Sequence, residues 1–250
     1  GSRSGTYLRG RFNPYQRRGA NFWGSYKEVL RSLKPKMAKN RPTSPSSILS
    51  FGGQSNQVRF RAGNIKNSLS FWTQLTSNPD ILHLVNGVNI PFLWSPPKQI
   101  LPPQKIHFSV SDQKLISKEV SKFLEMGVVE EAHYCESQFL SNIFSRPKSS
   151  GGVRVILNLS KLNEYISYEH FKMENFPLVF SMVEKNDFMA SIDLKDAYYS
   201  VPVAPEFRKF LRFEWDNKLL QYTCLPNGLS CAPRMFTKLL KPIFYWLRSQ

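Results

Sequence analysis

Residues 191–203 read SIDLKDAYYSVPV, and the rest of the chain is organised around this stretch. An apolar run over residues 188–192 leads into it and is typical of a short buried strand. The run ends at Asp193, and a second acid, Asp196, follows three residues later. A carboxylate at the end of a buried strand can bind Mg²⁺, which prefers one or two carboxylates together with substrate phosphates. Taken alone, however, the pattern is more simply explained by a strand end followed by a helix cap.

The length and composition favour a globular protein with a sizeable core. The chain has 250 residues, 41% of them hydrophobic and 14% aromatic, which is enough for one large domain or two small ones. No apolar run approaches the roughly 20 residues that a membrane span needs, and no signal peptide is recognisable. We therefore expect an intracellular protein of the cytoplasm or the nucleus. Because the chain lacks an initiating Met and stops within a helical pattern, we also expect a fragment of a longer polypeptide.

The positive charge is concentrated at the amino-terminal end. The net charge is +16, and residues 1–66 contribute +13 of it, from 14 lysines and arginines against the single acid Glu28. Residues 1–60 are poor in aliphatic residues and rich in Arg, Gly, Ser, Asn and Pro, which predicts disorder. Bases interleaved with aromatic residues can bind a nucleic-acid strand through charge and stacking, although a solvated linker is the alternative. The arginines concerned are Arg9, Arg11, Arg17 and Arg18.

The three cysteines, Cys135, Cys224 and Cys231, form no CxxC pair and are odd in number. This pattern favours a reducing compartment and argues against a zinc site. We interpret them as ordinary buried thiols.

Hydrophobic periodicity predicts helices in the first folded part of the chain. Two short helices are expected over residues 68–76 and 80–88, with Pro79 in the first turn of the second. A stiff Pro-rich connector follows at residues 95–104.

A longer helix is expected from Ser111, as its N-cap, to Met126, with Gly127 as its stop signal. A short strand is expected at residues 128–131. The predicted apolar face of the helix comprises Leu115, Ile116, Val120, Phe123 and Leu124.

A hairpin with a basic tip follows this helix. Its predicted strands are residues 139–144 and 153–159. Lys148 and Arg154 could bind a polyanion there, although a plain surface turn with solvated bases is the alternative.

Three further elements complete the prediction. A helix is expected over residues 177–186, and a second hairpin over residues 210–215 and 219–224 around the turn residues Asp216 and Asn217. A final helix is expected over residues 234–248, with a bend at Pro242.

Four stretches form an ordered set of motifs. They are RPK to RVILNLSKLN (residues 146–163), IDLKDAY (residues 192–198), RFEW (residues 212–215) with Tyr222, and LPNG (residues 225–228) with Ala232 and Pro233. Each motif is weak alone, but the order and spacing are specific. Together they resemble the fingers and the first half of the palm of a reverse transcriptase.

Finer details resemble the reverse transcriptases of tyrosine-recombinase (DIRS-type) retrotransposons. These details are the stretches at residues 170–174 and 229–242, together with residues 62–94, which resemble the segment upstream of the polymerase in those elements. The resemblance covers roughly three quarters of the chain.

The resemblance implies an α+β fold. This is a right-hand polymerase fingers and palm, with an incomplete antiparallel palm sheet and packed helices. Three parts are expected: a disordered basic segment (1–60), a helical upstream segment with the Pro-rich connector (61–104), and the fingers with a partial palm (105–250).

The resemblance also implies an activity, which is RNA-directed DNA polymerisation by two-metal nucleotidyl transfer. Asp193 would be the catalytic residue and would bind both Mg²⁺ ions, assisted by the backbone carbonyl of Leu194. The implied partners are an RNA or DNA template-primer, deoxynucleoside triphosphates, and the downstream RNase H and recombinase parts of a polyprotein.

Six residues would bind the nucleotide in this scheme. Lys148 and Arg154 would bind the triphosphate, as would the backbone amides of Asp196 and Ala197. Tyr198 would lie under the sugar and exclude a 2′-hydroxyl. Many members of the family have Gln where this chain has the shorter Asn227, which would contact the nucleotide near the sugar. Simple packing is the alternative for Tyr198 and Asn227.

One motif of the family is missing from the sequence. The second metal motif has paired aspartates, whereas no two of the six aspartates here are adjacent. We therefore expect that the 250-residue chain by itself does not polymerise. The main alternative is a non-enzymatic nucleic-acid-binding remnant that acts through its basic tail, and a DNA-templated polymerase is a third, weaker one.

Overall fold

The structure is a computed structural model, and it describes residues 60–148, 151–171, 177, 180–181, 183–185 and 193–248. All of these residues fall within one compact unit, Gln57–Gln250. The strand expected at residues 188–192 lies outside the described residues, as do Arg9, Arg11, Arg17 and Arg18.

Both short helices near the beginning of the folded part are confirmed. A 3-10 turn, Asn64–Ser68, leads into α1 (Leu69–Leu75), and α2 spans Pro79–Asn86. The side chain of Asn78 accepts a hydrogen bond of 2.9 Å from the backbone N–H of Asp80 and so caps α2.

The Pro-rich connector at residues 95–104 contains neither helix nor strand, as expected. It is attached to the core through Gln99. The side chain of Gln99 accepts a hydrogen bond from the backbone N–H of Leu140 at 2.7 Å and donates one to its carbonyl at 2.9 Å. A side-chain amide thus replaces the backbone pairing that the prolines cannot provide.

The long helix α3 (Val110–Met126) begins one residue before the predicted N-cap. Ser109, not Ser111, is the cap, because its Oγ accepts from the N–H of Asp112 at 3.1 Å. The same Oγ donates to the Asp112 carboxylate at 2.7 Å, in an arrangement similar to a capping box. Gly127 ends the helix in a left-handed conformation (φ 69°), as predicted.

The apolar face of α3 packs on the core of the unit. Ile116, Val120 and Phe123 are buried, whereas Leu115, which was predicted to share this face, is 41% exposed. The ring of Phe123 meets the ring of Tyr199 edge-on, with 5.7 Å between centroids. α3 therefore contacts the organising stretch of residues 191–203.

In the part of the chain that the structure describes, five strands form two antiparallel sheets. They are β1 (Val129–Glu131), β2 (Ile143–Pro147), β3 (Val153–Leu157), β4 (Arg212–Trp215) and β5 (Lys218–Tyr222). One sheet has the order β1-β5-β4, and the other is the β2-β3 hairpin. The turn between β4 and β5 has positive φ at both Asp216 (50°) and Asn217 (58°), which is the geometry of a type I′ hairpin.

The predicted first strand of the basic hairpin, residues 139–144, is wrong in position, because β2 begins only at Ile143. Phe139 and Ser141 bond elsewhere: their N–H groups donate to the carbonyls of Lys209 and Arg212, both at 2.9 Å. Because these N–H groups bond to Lys209 and Arg212, the residues do not pair with the second strand of the hairpin.

Arg212 of β4 connects the 133–138 segment to the β1-β5-β4 sheet. This residue is 6% exposed. Its NH1 donates to the carbonyl of His133 at 2.8 Å and to Oε1 of Gln138 at 2.6 Å, and its Nε donates to Oε1 of Gln221 at 2.9 Å. A buried guanidinium is tolerated only with such partners.

The remaining helices are α4 (Ser160–Asn163), α5 (Pro205–Arg208) and α6 (Ala232–Arg248). α6 contains Pro242 and begins two residues before the predicted start. The helix expected over residues 177–186 is present at the described positions 177, 180 and 181, but residues 183–185 are not helical. The predicted helix was therefore too long.

All three cysteines are free, as predicted. Cys224 and Cys231 are buried, and burial raises the pKa of each thiol to about 12. Cys135 is only half-buried, so it departs from the prediction. No helix in the described part of the chain is long and apolar enough to cross a membrane.

We expect Ser109→Ala to lower the free energy of unfolding by about 1 kcal/mol, because it removes the acceptor that caps α3. Chemical denaturation of the chain measures the effect. Ser111→Ala is the matched control and should change stability less. A larger effect at Ser111 than at Ser109 would contradict the assigned cap.

Candidate nucleotide site

Asp193 and Leu194 lie at the surface, immediately before a 3-10 turn, Ala197–Ser200. Asp193 is exposed, and Leu194 is 52% exposed. Asp196 stands at the N-cap position of the turn in a left-handed conformation (φ 52°), but its side chain makes no capping hydrogen bond. The capping role that the sequence left open for Asp196 is therefore not observed.

The amides of Asp196 and Ala197 are available for an anion. No described residue accepts a hydrogen bond from either N–H group, whereas the carbonyl of Asp196 accepts one from the N–H of Tyr199 at 2.9 Å. Successive residues of opposite backbone handedness direct neighbouring N–H groups into one concavity that suits an anion.

Two tyrosines of the turn pack in different directions. Tyr198 is half-buried and meets Phe236 of α6 edge-on, with 5.4 Å between ring centroids. Tyr199 is buried, and its hydroxyl accepts a hydrogen bond of 3.2 Å from Nδ2 of Asn227. Burial raises the pKa of both phenols, so both rings are neutral at physiological pH.

Asn163 fixes the loop that carries Asn227. Its Nδ2 donates to the carbonyl of Gly228, and its Oδ1 accepts from the N–H of Ser230, both at 2.9 Å. Gly228 has φ 97°, and a Cβ there would come within 3.6 Å of the carbonyl of Leu157 in β3. Sequence reasoning missed this role, because nothing in the sequence links Asn163 to residues some 65 positions away.

The two predicted phosphate-binding side chains of the hairpin differ in their surroundings. Arg154 is exposed. Lys148 is held by Glu119 of α3, with Nζ and Oε1 2.7 Å apart and side-chain exposures of 26% and 17%. Only Arg154 therefore presents its charge freely to solvent.

α3 contacts both halves of the candidate site. Glu119 contacts Lys148 of the hairpin, and Phe123, one helical turn later, contacts Tyr199. Within the part of the chain that the structure describes, however, no group of three or more His, Cys, Asp or Glu residues surrounds Asp193 or any other point.

We expect Asn163→Ala to increase hydrogen exchange at the Ser230 amide and to destabilise the loop by about 1–2 kcal/mol, since two hydrogen bonds are lost. Asn163→Asp keeps the acceptor for Ser230 and should have an intermediate effect. Asn158→Ala, which removes a local bond to Ser160, is the control. Unchanged exchange at Ser230 in Asn163→Ala would contradict the role given to Asn163.

Comparison with known protein families gives one match to this region. Residues 146–250 match the reverse transcriptase (RNA-dependent DNA polymerase) family.

Similar sequences occur in viral and transposon polyproteins. The chain is 24% identical over 163 residues to the genome polyprotein of Petunia vein clearing virus, covering 63% of this chain and 7% of that protein. It is 28% identical over 138 residues to the Pol polyprotein of equine infectious anemia virus, covering 52% and 12%. Against the transposon Tf2-3 polyprotein of Schizosaccharomyces pombe it is 23% identical over 146 residues, covering 57% and 10%. The chain thus spans only a small part of each relative.

Two solved structures share the fold. A CSH mutant of the prototype foamy virus protease-reverse transcriptase aligns with a TM-score of 0.53 and 22% identity, over 63% of this chain and 21% of that one. The foamy viral protease-reverse transcriptase in complex with dsDNA aligns with a TM-score of 0.53 and 14% identity, over 71% and 41%. The chain therefore has the fold of these reverse transcriptases, and its residues 146–250, which match the reverse transcriptase family, are similar to segments of viral and transposon polyproteins.

Proposed function

We propose that this chain supplies the fingers and the first half of the palm of an RNA-directed DNA polymerase, which acts as part of a retroelement polyprotein. The observation that carries the proposal is the arrangement around Asp193. An exposed carboxylate precedes by three residues the first of two backbone amides that have no acceptor among the described residues, and α3 contacts both this turn and the basic hairpin.

The oxygen donors present are compatible with Mg²⁺. The carboxylate of Asp193 and the backbone carbonyl of Leu194 are hard ligands of the kind that this ion prefers. Bound Mg²⁺ would favour deprotonation of the primer 3′-hydroxyl and would stabilise negative charge on the leaving pyrophosphate. Two ions need more carboxylates than Asp193, and no two aspartates of the sequence are adjacent. We therefore assign the remaining ligands to another part of the polyprotein and expect no polymerisation by this chain alone.

The chain's own residues would bind and orient the nucleotide. Arg154 and the amides of Asp196 and Ala197 would bind phosphate oxygens, since guanidinium and N–H groups both donate to anions. Lys148 would have a more restricted role, because its ammonium group is already paired with Glu119.

Two further residues would contact the sugar. Tyr198 would exclude a 2′-hydroxyl, because its ring is held in place by Phe236 and leaves little freedom to move aside. Asn227 donates through Nδ2 to Tyr199, so its Oδ1 is the atom that would accept a hydrogen bond from the nucleotide.

The proposal also covers the group of retroelements, the partners and the place of action in the cell. We place the chain with the DIRS-type retrotransposons on the strength of residues 170–174 and 229–242. Its partners would be an RNA or DNA template-primer, deoxynucleoside triphosphates, and RNase H and recombinase parts of the polyprotein. A structural relative whose structure contains dsDNA supports the first of these. Such substrates imply action inside the cell, in the cytoplasm or the nucleus.

In the full-length polymerase, we expect Asp193→Asn to reduce primer extension at least a hundredfold. Loss of a metal ligand removes several kcal/mol of transition-state stabilisation, and each 1.36 kcal/mol is a factor of ten. Asp216→Asn is the matched control, because Asn tolerates the left-handed turn conformation of Asp216 (φ 50°). Extension by Asp193→Asn at a rate close to wild type would rule out the metal assignment.

The non-enzymatic alternative rests on the charge of +13 in residues 1–66. A deletion that tests it should stop at residue 59, because the N–H groups of Ala62 and Gly63 bond to the carbonyls of Met126 and Tyr199.

We expect this deletion to weaken binding of single-stranded RNA and to flatten its salt dependence, because log K changes by about 0.7 per phosphate contact for each unit of log salt. Primer extension by the full-length enzyme at saturating template-primer should persist. Loss of RNA binding on deletion, together with no effect of Asp193→Asn on any activity, would favour the nucleic-acid-binding remnant instead.

A further inference from the structure

Lys148 is directed towards α3 rather than towards a ligand. Its Nζ lies 2.7 Å from Oε1 of Glu119, and both side chains are more than two-thirds buried. Its backbone N–H donates to the carbonyl of Gly152 at 3.0 Å and closes the hairpin. To bind a phosphate, Lys148 would have to share its ammonium group with Glu119 or leave that largely buried carboxylate unpaired, which is costly.

Arg146 lies directly opposite Arg154 on the hairpin. The register of β2 and β3 pairs these two residues, so their side chains project from the same face with Cβ atoms about 5 Å apart. Both residues are exposed, and among the residues that the structure describes neither guanidinium forms an ion pair with a carboxylate. Like charges directly opposite each other destabilise a hairpin unless an anion lies between them.

Arg146 is also held in position. Its guanidinium lies over the ring of Phe144, 5.7 Å from the centroid. Phe144 is two residues earlier on the same face of β2, and a cation over an aromatic ring is attracted to it. The side chain is therefore partly fixed before any ligand arrives, which reduces the entropy lost on binding.

We propose that Arg146 is the partner of Arg154 in binding an oligophosphate, and that Glu119 is a positioning residue that fixes the hairpin through Lys148. The identification of the oligophosphate as the triphosphate of a nucleotide rests on the proposed function. Two planar guanidinium groups can each donate two parallel hydrogen bonds to neighbouring phosphate oxygens, which a lysine cannot do. The bound anion would also remove the repulsion between the two arginines.

The position of Glu119 explains how the hairpin could be aligned with the rest of the site. Glu119 and Phe123 are one turn apart on α3, and they contact Lys148 and Tyr199 respectively. The Glu119–Lys148 pair therefore links the two arginines to the turn whose amides, at Asp196 and Ala197, would bind the same phosphates.

Binding of inorganic tripolyphosphate to the 250-residue chain, measured by titration calorimetry, tests the two arginines. We expect Arg146→Gln and Arg154→Gln each to weaken binding about tenfold, as is typical for loss of a charge-assisted hydrogen-bond partner. Arg61→Gln is the matched control: it removes the same charge from an exposed arginine beside Gly127 and should change binding less than twofold.

The test of Lys148 must not leave Glu119 unpaired, so the double variant Glu119→Gln/Lys148→Gln is used. We expect it to weaken tripolyphosphate binding no more than threefold. Wild-type binding by Arg146→Gln, or a tenfold loss in the double variant, would overturn the proposal.

The positioning role of Glu119 has its own readout in the full-length polymerase. Glu119→Lys and Lys148→Glu should each raise KM for the nucleotide more than they lower kcat, and the charge-swapped double variant should restore KM. Failure of the swap to restore KM would overturn the positioning role.

These outcomes are separable from those of the proposed function. Tripolyphosphate binding needs neither a metal nor primer extension, so a silent Asp193→Asn change would leave the arginine pair intact as an anion site. Conversely, loss of extension in Asp193→Asn with no effect of Arg146→Gln would remove only this inference.

Discussion

The packing of Phe123 determines how α3, the turn after Asp193 and the β1-β5-β4 sheet (the palm sheet) are positioned relative to one another. Its ring meets Tyr199 at 5.7 Å and Tyr222 at 6.3 Å, so one side chain of α3 contacts both the turn after Asp193 and the palm sheet. Tyr222 in turn packs on Phe213 of the neighbouring strand at 6.0 Å. Aromatic pairs of this kind combine a large buried area with a preferred geometry. Because α3 is capped at both ends, the cluster fixes the turn relative to the sheet without any contribution from a ligand.

The candidate site combines several unusual local features. Asp196 adopts a left-handed conformation without a capping bond, two neighbouring amides have no described acceptor, and Arg146 faces Arg154 across a hairpin. Each feature costs stability in the absence of a ligand. Elsewhere, buried polar groups are satisfied: among the described residues, no buried side-chain nitrogen or oxygen lacks a hydrogen-bond partner. Features of this kind, which cost stability without an evident structural gain, are expected at functional sites.

Sequence reasoning predicted the elements better than their ends and contacts. Periodicity was sufficient for α1, α2, α3 and the β4-β5 hairpin, because these depend on local patterns and turn residues. The cap of α3 was misplaced because Ser109 and Ser111 are equally good caps by composition, and only the Asp112 carboxylate favours Ser109. The start of β2 was misplaced because Phe139 pairs with a segment some 70 residues away. Such competition between distant partners leaves no local signal.

The same distinction between local patterns and contacts of distant residues applies to the site. It explains why a motif alone cannot show whether Lys148 is free to bind a phosphate. A basic hairpin tip places several cations within reach of a phosphate, and the sequence does not say which of them is already paired. That depends on Glu119, which precedes Lys148 by 29 residues and lies beside the buried face of α3 that Ile116, Val120 and Phe123 form. Once that face is buried, Glu119 is directed towards the hairpin and neutralises Lys148. The charge that remains available on the hairpin is then the pair of arginines, which is a property of packing rather than of the motif.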